Sequence, residues 1–173
     1  RFGFEKSTMM DIANEARKGK SSIYYYFKSK EDIFEAVVKT EAELFKSEVD
    51  KALANVDDLK TKIRIYFTVR MKRFKDVGNL YAAMRSDYLK NLDFVEKIRE
   101  EYDREELEFI QYLLKEGVDK NEFEIKNISD TSFALASALK GLEYPLFFNP
   151  NDQKLTQRID SLLDILFYGI VKR

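Results

Sequence analysis

The residues best suited to chemistry sit close together near the start of the chain. Lys20, Ser21, Ser22, Tyr24 and Tyr25 are cationic or hydroxyl-bearing, and they fall on the outward side of a short helix if Ile23 and Phe27, one turn apart, face inward. A narrow rod carrying such side chains suits a major groove about 12 Å wide, where base edges and phosphates supply complementary hydrogen-bonding groups. That is the chemistry of recognition, and the means for bond making are scarce. The 173 residues include no His and no Cys, which removes the commonest general base at neutral pH, the Ser-His-Asp and Cys-His nucleophile arrangements, thiolate zinc sites and disulfides. Glu100, Glu101, Asp103, Glu105 and Glu106 alternate with Arg99 and Arg104, the pattern of a solvated helix face with i,i+4 pairing. With no Glu-x-x-His partner the di-iron bundle pattern fails as well. Neither catalysis nor a cofactor or metal is expected.

Charge points to the same end of the chain. Over residues 1–30, Arg1, Lys6, Arg17, Lys18, Lys20, Lys28 and Lys30 outnumber Glu5, Asp11 and Glu15 by four, although the whole chain carries a net charge of −1. The basic end is therefore the candidate nucleic-acid face. No apolar run approaches the roughly 20 residues that span a bilayer, and no signal peptide opens the chain, so a cytoplasmic protein without a membrane partner is expected. The opening Arg1-Phe2-Gly3-Phe4 reads as the end of one element and a turn, which suggests that further residues precede it.

The elements that must hold these side chains are helical. Two Pro and six Gly punctuate the chain, and apolar spacing between them is near 3.6, so the expected fold is all-α. Thr8-x-x-Asp11 can open a helix running to about Ala16, a second occupies about 20–26, and Ser29-x-x-Asp32 opens a long one to about Leu53. Asp57 or Asp58 caps the next, whose stripe Ile63, Tyr66, Phe67, Arg70 and Phe74 is expected to end at Gly78, with a shorter helix over roughly 79–90. Further helices are expected over about 92–117, 130–148 and 152–171. Ala134, Ala138 and Gly141 beside Leu142 make a surface that another helix can approach closely. Ile159, Leu162, Leu163, Leu166 and Ile170 cover a broad apolar arc. These two helices either complete the core or form a two-fold interface, and the width of the arc favours the interface, hence a homodimer.

The connection Ala16-Arg17-Lys18-Gly19 between the first two helices has the length of a helix-turn-helix turn. The segment Thr8-Met-Met-Asp-Ile-Ala-Asn-Glu-Ala, followed by Lys20-Ser-Ser-Ile-Tyr-Tyr-Tyr-Phe-Lys-Ser-Lys-Glu-Asp-Ile-Phe34, resembles the signature of the TetR family of bacterial transcription regulators. The resemblance covers about 35 contiguous residues, with apolar, aromatic and capping positions in register. It implies that Thr8 meets a phosphate at a helix start, that Lys20, Ser21 and Tyr25 reach base edges, and that Ser22, Tyr24 and Tyr26 lie nearer the sugar-phosphate backbone. It also implies a phosphate contact from Lys30. Arg17-Lys18 stands where the family usually has Gly-Val, which alters the turn and adds positive charge, Lys18 included, for phosphates.

The resemblance further implies a helix-turn-helix DNA-binding domain over 1–50, its first helix lying before this chain, and a ligand-binding and dimerisation domain over 51–173. Candidate pocket residues there are Tyr66, Phe67, Met71, Phe74, Tyr81, Met84, Tyr88, Phe109, Tyr112 and Phe133, a lining suited to a small, largely apolar effector. The expected function is a homodimeric repressor that binds a palindromic operator in double-stranded DNA and is released by that effector. The alternative keeps the fold as a protein-binding module or activator subunit.

Overall fold

The computed structural model describes residues 7–83, 92–148 and 154–169, and leaves the side chains of 75–96, 98–99 and 144–148 outside the description. Seven helices and no strand occur among the described residues: α1 (Met9–Glu15), α2 (Lys20–Tyr26), α3 (Lys30–Leu53), α4 (Leu59–Ala83), α5 (Leu92–Asp119), α6 (Ile128–Phe148) and α7 (Leu155–Tyr168). None of them is long and apolar enough to cross a membrane.

Local chemistry sets where several of these helices start. Thr8 and Asp11 form a reciprocal capping box: the Asp11 amide donates to Thr8 Oγ1 at 3.2 Å and the Thr8 amide to Asp11 Oδ2 at 2.8 Å. Ser29 and Asp32 repeat it at α3, with distances of 3.1 and 3.3 Å. At α4, Asp58 accepts from the Thr61 amide at 2.8 Å. The hydrogen bonds that Asp11, Asp32 and Asp58 receive, led by those involving Thr8, Ser29 and Thr61, hold all three carboxyls below their ordinary value of 3.8. A depressed folded-state pKa means that the stabilisation is complete above the unfolded value and is lost as pH falls through the folded one. Helical circular dichroism and the melting temperature are therefore expected to hold down to about pH 4 and to decline below it. Asn at these three positions should flatten the decline.

The ends are equally legible. At α1 the Lys18 amide donates to the Ala13 carbonyl at 2.9 Å and the Arg17 amide to Asn14 at 3.1 Å, a Schellman closure with Arg17 at φ +52°. At α5, Asn121 at φ +58° takes the same place, with Glu122 donating to Gly117 at 2.8 Å. Gly78 does not end α4, which continues to Ala83. An interior glycine costs a helix about 1 kcal/mol relative to alanine, less than the packing of a long buried stripe returns.

The main core joins α3 to α7: Val49, Ile63, Tyr66, Phe67, Met71, Phe74, Ile110, Leu113, Leu114, Leu135, Leu139, Ile159 and Leu163 form one buried cluster. Met9, Ala13, Phe34 and Val38, from α1 and the first part of α3, are buried outside that cluster. Arg73 adds a polar tie between α3 and α4, its guanidinium 2.6 Å from Glu41 and 3.2 Å from Glu48.

Candidate functional site

Helix α2 is seven residues long and contains no buried residue. Tyr25 is 82% exposed, Tyr26 and Tyr24 are also exposed, and the rings of Tyr25 and Tyr26 meet edge to face at 4.9 Å. Three neighbouring tyrosines in solvent are a costly way to build a surface unless something covers them. Lys20 Nζ lies 5.7 Å from the Tyr24 ring centroid, a cation–π contact between positions four apart that aligns the ammonium along the helix. Ser21 and Ser22 are exposed beside them, as is Lys18 in the preceding turn. Lys30 is half-buried in the first turn of α3.

Thr8, expected both to open its helix with Asp11 and to meet a phosphate, is engaged in the capping box. Its hydroxyl donates to Asp11 Oδ2 at 2.6 Å and its amide to the same oxygen, so a phosphate at this helix start would have to displace the Asp11 carboxylate.

Beyond the reading head an open cavity of about 450 Å³ lies between α3, α4 and α5, with Val49, Tyr66 and Glu106 buried at its floor and Lys46, Asp50, Glu105 and Glu108 exposed at its rim. Its walls are Ala42, Phe45, Lys46, Val49 and Asp50 from α3, Tyr66 from α4, and Tyr102, Glu105, Glu106, Glu108 and Phe109 from α5. Tyr66 sits 4.8 Å from Phe109 and 5.8 Å from Phe45, centroid to centroid, so three rings form one aromatic wall. Behind it, Arg70 Nε donates to Glu106 Oε1 at 2.6 Å, Nη2 to Glu106 Oε2 at 3.1 Å and Nη1 to Glu143, while the Tyr66 hydroxyl donates to Glu106 Oε1 at 3.1 Å. Burial, then the neighbouring Glu106 charge, push the Tyr66 phenol well above its ordinary pKa, so it remains a donor. A larger cleft of about 730 Å³ lies beside the α5–α6 connection, lined by residues such as Lys60, Glu122, Lys126 and Phe167. None of the expected effector residues lines it.

Of the ten residues expected around an effector, Tyr66 and Phe109 line the 450 Å³ cavity. Phe67 borders an interior void of only about 10 Å³, and Met71 and Phe74 are packed core. Tyr112 and Phe133 are 61% and 66% exposed, on outer faces of α5 and α6, and so do not wall an interior cavity. The side chains of Tyr81, Met84 and Tyr88 lie outside the described residues. The cavity's other walls were missed. Glu105 and Glu106 belong to the run expected on a solvated helix face, and Phe45 and Val49 were not among the expected pocket residues. The one available signal was Arg70, a cation sharing an apolar stripe with Tyr66, which calls for a buried carboxylate nearby.

The last two helices divide. Ile159 and Leu163 are fully buried against the chain's own core, so they offer nothing to a second copy. Leu142, Leu162, Leu166 and Ala138 are half-buried, Ala134 is exposed, and Gly141 faces open space. Ile165 and Tyr168 add exposed apolar surface on α7. Ile170 lies outside the described residues.

Comparison with known proteins places both halves of the chain. Residues 1–37 match the family described as bacterial regulatory proteins, tetR family, and residues 61–172 match the family described as QacR-like protein, C-terminal region. YfiR of Bacillus subtilis (strain 168), an uncharacterized HTH-type transcriptional regulator, is 27% identical over 128 residues, 72% of this chain and 62% of that protein, so the match spans less than two thirds of that relative. A transcriptional regulator from Cytophaga hutchinsonii ATCC 33406 is 31% identical with a TM-score of 0.72, covering 94% of this chain and 84% of that one. The regulator FadR from Bacillus subtilis, solved in complex with stearoyl-CoA, shares the fold at a TM-score of 0.77 and 20% identity, covering 98% of this chain and 92% of that one. With its reading head and its larger helical domain both matched, the chain belongs to the TetR family of bacterial regulatory proteins, which are transcriptional regulators and not enzymes.

Proposed function

We propose that this protein is a homodimeric repressor that lays α2 in the major groove of a palindromic operator and leaves it when a small effector occupies the cavity between α3, α4 and α5. The observation that carries the proposal is the exposure of Tyr24, Tyr25 and Tyr26 beside Lys20 on a short helix in the chain's basic segment. Exposed Phe133, Ile165 and Tyr168, with Gly141 open between them in sequence, supply apolar surface for a second copy. Helix α3 connects the two activities. Lys30 begins it and Phe45 to Asp50 line the cavity, so a rigid rod of about 25–30 Å runs from the effector to the reading head. A ligand that prefers one tilt of that rod shifts the spacing of two reading heads by its differential affinity for the two states. Nuclease footprinting on DNA selected from a random pool should reveal two protected half-sites about one helical turn apart. Selection without enrichment would overturn the regulator reading and favour the protein-binding module.

The cavity also limits the effector. Asp50, Glu105 and Glu108 face a single Lys46 around four aromatic rings, with Glu106 already paired to Arg70, a setting for an apolar molecule bearing a cation and a poor one for an anionic head group. FadR was solved with stearoyl-CoA, and an acyl-CoA here would bring its phosphates to these carboxylates. A tetraalkylammonium ion is expected to raise the melting temperature, by an amount equivalent to about 2.7 kcal/mol at one hundred times its Kd, and to weaken DNA binding. Stabilisation by a fatty acyl-CoA and not by the ammonium ion would overturn this assignment.

A further inference from the structure

We infer that Arg17, in the turn before the reading helix, is a DNA-phosphate ligand whose charge is kept at the cost of backbone strain. It rests on the DNA-binding reading above. The closure of α1 requires a residue in the left-handed region, and Arg17 occupies it at φ +52°. Glycine adopts this conformation without penalty, whereas a long L side chain brings its Cβ against the following carbonyl oxygen. Among the described residues the other closure of this kind, after α5, uses Asn121, whose short polar side chain tolerates the region far better. Arg17 is therefore the outlier, and nothing among the described residues uses its side chain. It is exposed, and its guanidinium makes no ion pair or hydrogen bond among the described residues. Strain without an internal return is a pointer to an external partner.

Position and chemistry identify that partner. Arg17 precedes Lys20, the first residue of α2, by three residues, a span of at most about 10 Å. The N-terminal end of a recognition helix is the part that meets the bases, so the turn leading into it lies beside the flanking strand. The guanidinium's planar fork matches two phosphate oxygens, and its charge is indifferent to pH. A phosphate contact positions the protein without reading sequence, which predicts a loss of affinity shared by all duplexes.

The test compares the wild type, Arg17→Gly and Arg17→Lys as full chains, reading thermal melting and fluorescence anisotropy on a selected operator and a scrambled duplex across a salt series. Arg17→Gly is expected to melt about 2 °C higher. It should also bind both duplexes several-fold more weakly by the same factor, and lower the slope of log K against log salt by about 1 for each reading head engaged. Arg17→Lys should keep the salt slope and gain no stability. An unchanged slope in Arg17→Gly, a loss confined to the operator, or a lower melting temperature would each overturn the inference while leaving the DNA-binding reading intact. Failure of the wild type to bind either duplex would overturn both.

Discussion

Replacing Arg70 with Leu is expected to lower the unfolding free energy by about 3–5 kcal/mol. Arg70 bridges α5 and α6 from α4, and it, Glu106 and Glu143 each have side chains less than one-tenth exposed. Burial alone would favour the neutral guanidine, but the charges of Glu106 and Glu143 outweigh it and hold the Arg70 pKa above its ordinary value. The Arg70 end of the bridge therefore stays charged. Its removal leaves the Glu106 carboxylate in the interior with the Tyr66 hydroxyl as donor, and takes the guanidinium away from Glu143. A urea midpoint shifted down at constant m-value would register the loss. The triple replacement of Arg70, Glu106 and Glu143 with Leu or Met should recover most of it, because an apolar trio of similar volume carries no desolvation penalty. A single-variant loss below about 1 kcal/mol would show that water reaches the site. The triad also forms the rear of the cavity between α3, α4 and α5 through Glu106, so in the proposed mechanism its rigidity would let a ligand move α3 instead of deforming the wall.

Lys20→Ala combined with Tyr24→Ala is expected to reduce operator affinity at least about 100-fold, toward the level of non-specific DNA, with little change in melting temperature because both side chains lie in solvent. The two positions act as a pair, since the Tyr24 ring holds the Lys20 ammonium. Tyr24→Phe separates their roles. It keeps the ring under Lys20 and removes the hydroxyl, so it should retain most of the specificity and lose a single backbone contact. A double variant that binds the operator as well as the wild type would remove α2 from the interface.

Helix starts were legible at two local capping pairs, while the Asn127–Asp130 pair that opens α6 at Ile128 was not read. Thr8 with Asp11 and Ser29 with Asp32 lie three residues apart, and the boxes they form begin α1 and α3 at the expected residues. What else escaped depends on distant partners. Glu106 reads as solvated among Glu101, Arg104 and Glu105, yet its partner Arg70 lies 36 residues away on another helix. Gly78 looks like a stop because propensity is local, whereas the burial that overrides it is not. Within the broad arc of α7, Ile159 and Leu163 are taken by the chain's own core, Leu162 and Leu166 are half-buried against it, and Ile170 lies outside the described residues. A helix with two neighbours shows one pattern, and periodicity does not apportion it between them.

The central claim is tested most directly by anisotropy titration of the protein against its selected palindrome and a scrambled duplex at 50 and at 200 mM salt. Tight binding to the palindrome that weakens steeply with salt, exceeds binding to the scrambled duplex by about 1000-fold or more, and disappears in the Lys20→Ala, Tyr24→Ala variant is the predicted result. Equal affinity for the two duplexes, unaffected by that variant, would contradict it.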